Sequence, residues 1–279
     1  MITFFTTPCF TQAKQEDSSH LTIGYSIKSL PDLDIKDVTA ALDLWVKELS
    51  NEVGFTAESL IYRDMNLFRE DLKSGKVDMG IAQTVDFFSL EKETKITPAI
   101  AKIKEGKLTD KYLLLVHKDS DCSSIKDLKK KKLAILANTD FGLLFLNNLL
   151  VSNNLPKVHN FFSVIEEKKK PSQVILPVFF KQMEACITTE KSFKLMAELN
   201  PQVGAKLKVL ASSPEIIETV SFFRKDYKDT LKQEIIKHSK NLKNYVRGEQ
   251  ILLLFQVDEL VEISGNDLTN TRRLFNKYK

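Results

Sequence analysis

The residue types able to do chemistry are present in this chain but scattered. His20, His117, His159 and His238 lie far apart, and Cys9, Cys122 and Cys186 form neither a C-x-x-C pair nor a zinc spacing. No G-x-G-x-x-G, P-loop, G-x-S-x-G or H-E-x-x-H occurs. Gly204-Ala205-Lys206 lacks the upstream glycine and the Ser/Thr of a P-loop, and the acid pairs Glu166-Glu167 and Asp226/Asp229 sit in charged stretches. His238 falls on an apolar helical stripe, which reads as a boundary histidine rather than a ligand. Nothing supplies a nucleophile, base or metal set, so no catalytic residue, metal or cofactor is expected. One local feature does have chemical content. An apolar stretch, Leu133 to Ala137, runs into Asn138-Thr139-Asp140 and then an apolar helix, Phe141 to Leu150. Free N–H groups at a helix start attract anions and accept capping side chains. Thr139 or Asp140 could cap that helix, and Asn138 and Thr139 could equally donate to a ligand.

These residues need elements to position them. Leu21 to Tyr25 reads as a strand, followed by helical spacing of Ile35, Val38, Leu42, Trp45, Val46 and Leu49. Phe55 to Tyr62 is a second strand, Met65, Phe68 and Leu72 a short helix stopped at Ser74-Gly75, and Val77 to Ala82 a third strand. Strand and helix in alternation predict a parallel sheet. A second alternating block follows: strands at Tyr112 to His117, Leu133 to Ala137, Phe161 to Val164 and Ala185 to Thr188, with helices between. Leu207 to Leu210 and Val220 to Phe223 are further strands. Leu231, Ile235, His238, Leu242 and Tyr245 form a helical stripe, and a last helix carries Leu274, Phe275 and Tyr278. At 279 residues the α/β chain is expected to form about two units. Its 41 basic and 37 acidic residues leave +4, too little to imply a nucleic-acid partner. No apolar run approaches the ~20 residues of a membrane-spanning helix. Met1 to Phe10 followed by Thr11-Gln12-Ala13 reads as the end of a secretory signal or as a disordered tail. If the chain is exported, Cys122 and Cys186 could pair; otherwise they are buried thiols.

The order of segments resembles a family. Leu21-Thr22-Ile23-Gly24 looks like its opening strand, and the stretch from Leu72 through Gly75, Val77 and Asp78 to Ile81 resembles its L-x-x-G-x-V-D-I-A-F segment. Ser124 to Ala134 is similar to S-x-x-D-L-K-G-K-x-x-A, and Phe180 to Cys186 stands where the family has G-x-V-D-A-G. Leu207 to Leu210, Ser213-Pro214, Phe223 to Asp226, Asp267-Leu268 and Arg273 to Phe275 match its later pieces. Over Leu21 to Tyr278 the chain resembles type II periplasmic solute-binding proteins, in particular the phosphate/phosphite/phosphonate-binding group of ABC transporter components.

The resemblance implies a two-lobed type II periplasmic-binding-protein fold, each lobe a mixed sheet flanked by helices, with a cleft that closes by hinge motion. It implies lobe one at 21–110 plus 212–279 and lobe two at 111–211, after a signal or tail at 1–20. The crossings are expected near Leu113 to His117 and Leu210 to Ser221. It further implies an extracytoplasmic monomer that delivers a small polar solute to a transporter permease. The family's Ser-Thr-Ser-Gly-like cradle is replaced by Asn138-Thr139-Asp140-Phe141-Gly142, and Phe87 stands where a tyrosine hydroxyl is usual. Tyr25, Ser26, Gln83, Phe87, Thr139, Asp140 and Thr188 are therefore the expected ligand-binding residues. A phosphonate or phosphate fits the scaffold. If Asp140 faces the cleft, an amine-bearing ligand fits better, because like charges at ~4 Å repel by about 1 kcal/mol even in water. The altered cradle leaves a second reading, a sensory or partner-binding domain of the same fold that has lost transport.

Overall fold

The computed structural model describes residues 20–29 and 35–277. The possible signal at Met1 to Ala13, Cys9, and Tyr278 lie outside the described residues. The chain begins with β1 (His20–Ser26), α1 (Ile35–Val53), β2 (Thr56–Tyr62), α2 (Met65–Ser74), β3 (Met79–Gln83), α3 (Thr84–Glu91) and β4 (Ile96–Ile103). A second block comprises β5 (Tyr112–His117), β6 (Lys132–Leu136), α4 (Asp140–Ser152), α5 (Val158–Phe161), β7 (Val164–Lys168), α6 (Pro171–Phe179), β8 (Ala185–Thr189), α7 (Glu190–Leu199), α8 (Pro201–Lys206) and β9 (Leu207–Ser212). The chain then returns as β10 (Thr219–Arg224), α9 (Asp229–Asn241), α10 (Val246–Leu254), β11 (Glu259–Glu262) and α11 (Thr269–Lys277).

Two mixed sheets result. The first has the order β11-β4-β10-β3-β1-β2, the second β7-β6-β8-β5-β9. In the first, β1 pairs in parallel with β2 and β3, as strand–helix alternation predicts, whereas β10 returns antiparallel between β3 and β4. In the second, β6 is parallel to β7 and β8, and β5 is antiparallel to β8 and β9. This is the two-lobed α/β architecture.

Helical stripes and strand alternation dictate the cores. The α1 stripe of Val38, Leu42, Trp45 and Leu49 packs on one face of the first sheet, and Phe68, Phe87, Phe88 and Phe222 fill the other. Along β5, Leu114 and Val116 join Phe141, Phe145 and Leu146 on one face, while Leu113 and Leu115 join Val174, Ile175 and Val178 on the opposite face. A strand covered on both faces reads as a continuous apolar run. That is why Leu113 to His117, expected as a crossing, is an interior strand with every residue of β5 buried. The crossings are residues 104–111 and 213–218, stitched together where Asp110 N–H donates to Ile216 O (3.0 Å) and Ile216 N–H to Asp110 O (2.8 Å).

One further expectation changes. Phe161 and Phe162 do not belong to a strand: α5 ends at Phe161 and β7 begins at Val164. Both rings are buried and meet edge to face at 5.0 Å, whereas a strand would send neighbouring side chains to opposite faces. At the C-terminus, α11 touches both lobes, with Leu274 in a second-sheet cluster and Phe275 in a first-sheet cluster. Cys122 and Cys186 are free and buried, in clusters on opposite faces of the second sheet.

Candidate functional site

The first strand order brings the C-terminal ends of β1 and β3 to the mouth of the first lobe; β6 and β8 end opposite them. Between the lobes lies a cavity of about 500 Å³, with the two crossing segments contributing Asp110, Ile217 and Glu218 to its wall and the start of β10 contributing Thr219. The turn after β6 is shaped by Asn138, whose φ of 61° is left-handed, a conformation asparagine tolerates better than most residues. It directs Asn138 O to the other lobe, where Gln83 Nε2 donates to it and to Lys28 O, both at 2.8 Å. Thr139, almost fully buried, lines the cavity without capping α4. Its hydroxyl packs against Gly142: a Cβ there would come within 2.6 Å of Thr139 Oγ1 and 2.8 Å of Ile187 Cγ2, so the close approach requires glycine.

Charges of both signs surround this space. Tyr112 donates its hydroxyl to Glu218 Oε1 at 3.1 Å. Asp110 is buried beside them, its carboxyl pushed up by burial and further by the charge of Glu218. Burial also pushes the Tyr112 phenol well up. Lys170, Lys191 and Lys104 line other parts of the wall. Beside the mouth, Lys28 Nζ meets Asp140 Oδ2 at 3.1 Å, an ion pair between the lobes. Burial pulls the Lys28 ammonium down, but the hydrogen bond and charge of Asp140, helped by Asp86, raise it overall. Asp86, in the first turn of α3, is pushed up to about 6 by burial; Lys28 opposes this and Asp140 adds to it.

Of the expected residues, Gln83 and Thr139 line the cavity. Asp140 instead holds Lys28, and neither caps α4 nor lines the space. Ser26 is buried with its hydroxyl unpartnered among the described residues, and Ser29 from the following turn lines the wall. Thr188 is buried inside β8, and its neighbour Thr189 reaches the wall while capping α7 by accepting from Ser192 N–H. Tyr25 faces a smaller cavity, described below. Phe87 is fully buried, with its ring 5.3 Å from Phe222 and 5.7 Å from Phe88; because α3 starts at Thr84, that position turns toward the sheet and cannot present a side chain to the cleft. Tyr112, Asp110, Glu218, Lys170 and Lys191 were not expected. They come from a strand start, the crossing segments, the cap of α6 and the first turn of α7, and their juxtaposition leaves no local motif. Among the described residues, no group of three or more His, Cys, Asp or Glu could hold a metal ion, and no helix is long and apolar enough to cross a membrane.

The chain thus forms two lobes joined by paired crossings around a cavity whose wall mixes polar and apolar side chains. A family model described as ABC transporter, phosphonate, periplasmic substrate-binding protein matches residues 27–268, and the chain belongs to that family. Among curated proteins none matches in sequence. Solved structures resemble it in fold. XAC2383 from Xanthomonas citri bound to chloride ion is 15% identical with a TM-score of 0.70, over 93% of this chain and 97% of that one. PhnD1 from Prochlorococcus marinus (MIT 9301) in complex with methylphosphonate is 15% identical with a TM-score of 0.67, over 92% of this chain and 97% of that one. A binding protein component of an ABC phosphonate transporter (PA3383) from Pseudomonas aeruginosa is 16% identical with a TM-score of 0.66, over 92% and 86%.

Proposed function

We propose that this chain works as a monomer outside the cytoplasm, binding a small zwitterionic solute between its lobes and delivering it to an ABC transporter permease. The solute carries one amine and one oxyanion, a phosphonate or a carboxylate. The observation that carries this reading is the mixed charge of the interlobe cavity, whose wall carries buried Asp110 and half-buried Glu218 together with Lys104, Lys170 and Lys191. A phosphate or simple phosphonate dianion would meet the repulsion of both carboxylates, offset only by the lysines of the wall, and that repulsion grows as the closed cleft excludes water. An amine on the same ligand turns that repulsion into attraction. Thr139, Gln83 and Thr189 then supply polar contacts that fix its orientation. Asp140 takes no part in recognition, because Lys28 already neutralises it.

The test is a calorimetric panel of inorganic phosphate, methylphosphonate, 2-aminoethylphosphonate and small α-amino acids. Amine-bearing members are expected to bind more tightly than phosphate or methylphosphonate. Tighter binding of methylphosphonate than of 2-aminoethylphosphonate would overturn the zwitterion assignment.

A further inference from the structure

A second, smaller cavity of about 70 Å³ adjoins the first and shares Thr219 and Lys102 with it. Its other walls are almost wholly apolar: Trp45, Ile81, Ile100, Phe255, Val257 and Leu260. It lies where the α1-side core of the first lobe thins out. There Ile81, Phe255 and Leu260 are only partly buried against the packed cluster that includes Trp45 and Ile100. Within that wall the indole N–H of Trp45 has no hydrogen-bond partner among the described residues, although the residue is 2% exposed.

We infer that this annex is a specificity subsite for an apolar substituent on the solute whose charged groups occupy the main cavity. The inference rests on the zwitterion reading and adds a substrate class to it: a zwitterion bearing a short alkyl side chain. The physical reason is continuity. A ligand held beside Thr219 has open apolar space on the far side of that residue, with no charged side chain but Lys102 at its border. Water occupying roughly 30 Å³ per molecule would fill the annex with about two poorly bonded molecules. A chain of two or three methylenes displaces them at a gain of about fourfold in affinity for each methylene buried. Ser221 sits on β10 in register with Ile81 and Ile100, so a larger side chain at this position enters the same space.

The experiment uses two homologous series, straight-chain α-amino acids from glycine to 2-aminooctanoate and 1-aminoalkylphosphonates with the same side chains. Affinity is measured by calorimetry and intrinsic emission by fluorescence. Trp45 is the only tryptophan in the chain, so emission reports the annex directly. The dissociation constant is expected to fall about fourfold per methylene over the first two or three and then to level off, in at least one series. The longer members should move the Trp45 emission maximum and glycine should not. Ser221→Leu is expected to flatten the series. If that variant fails to fold, the wild-type emission shift still decides the matter. Binding of the short members with equal affinity along the series and unmoved emission would overturn the annex alone. Failure of every member of both series to bind would overturn the annex and the zwitterion reading together.

Discussion

Asp86→Asn should stabilise the protein at neutral pH and leave it almost unchanged in mild acid. Asp86 is half-buried, but its Oδ2 is sealed from solvent without a hydrogen-bond partner among the described residues, and burial pushes its carboxyl up to about 6 against an ordinary 3.8. A carboxyl raised on folding binds its proton more tightly in the folded state. Between those two values the folded chain therefore holds more protons than the unfolded one, and stability falls as pH climbs through the window. The cost is absent well below 3.8 and complete above about 6. The gap corresponds to roughly 3 kcal/mol at 1.36 kcal/mol per pKa unit. Partial solvent access of the residue, and loss of the attraction to Lys28 in the variant, reduce the expected gain to about 1–3 kcal/mol. Urea unfolding of both proteins at pH 4 and pH 7.5 measures it. The midpoint of Asp86→Asn should rise at pH 7.5 and nearly coincide with wild type at pH 4. An equal shift at both pH values, or a loss at pH 7.5, would refute the reasoning, as would an Asp86 carboxyl carbon that titrates near 3.8 by NMR. The outcome bears on function because Asp86 and Asp140 both act on Lys28 at the contact between the lobes.

Three other perturbations probe the same region. Gln83→Ala removes the hydrogen bond to Asn138 O between the lobes, worth about 1 kcal/mol, together with one inside the first lobe to Lys28 O, so the ligand-free protein should open and its radius of gyration by small-angle scattering should rise; an unchanged radius refutes the latch. Thr139→Ala should weaken solute binding about tenfold by calorimetry with little change in melting temperature, and full retention of affinity would remove Thr139 from the site. Gly142→Ala should destabilise by about 1–3 kcal/mol in urea, because its methyl group meets Thr139 and Ile187 inside contact distance, and an unchanged midpoint would show that α4 yields there at no cost.

The elements themselves were legible because they follow from short-range rules. The α1 stripe, the stop at Gly75 with its φ of 81°, and the apolar β5 are all written in spacings of a few residues. Gln83 and Thr139 were legible for a related reason: each lies just past the C-terminal end of a strand or at the start of the next helix, the places where parallel α/β units gather ligands. What the tertiary structure alone decided is which distant residues share a space. Lys28 and Asp140 are separated by 112 positions, and Tyr112 and Glu218 by 106, so no local pattern can pair them. The same holds for Phe87. Its place in the chain marks it as near the cleft, but the point at which α3 begins sets its rotation, and burial of an aromatic ring against the sheet outweighs exposure at the mouth. Periodicity encodes which face of an element is apolar; the charge balance of the cavity emerges only when two crossing segments and two lobes bring their polar ends together.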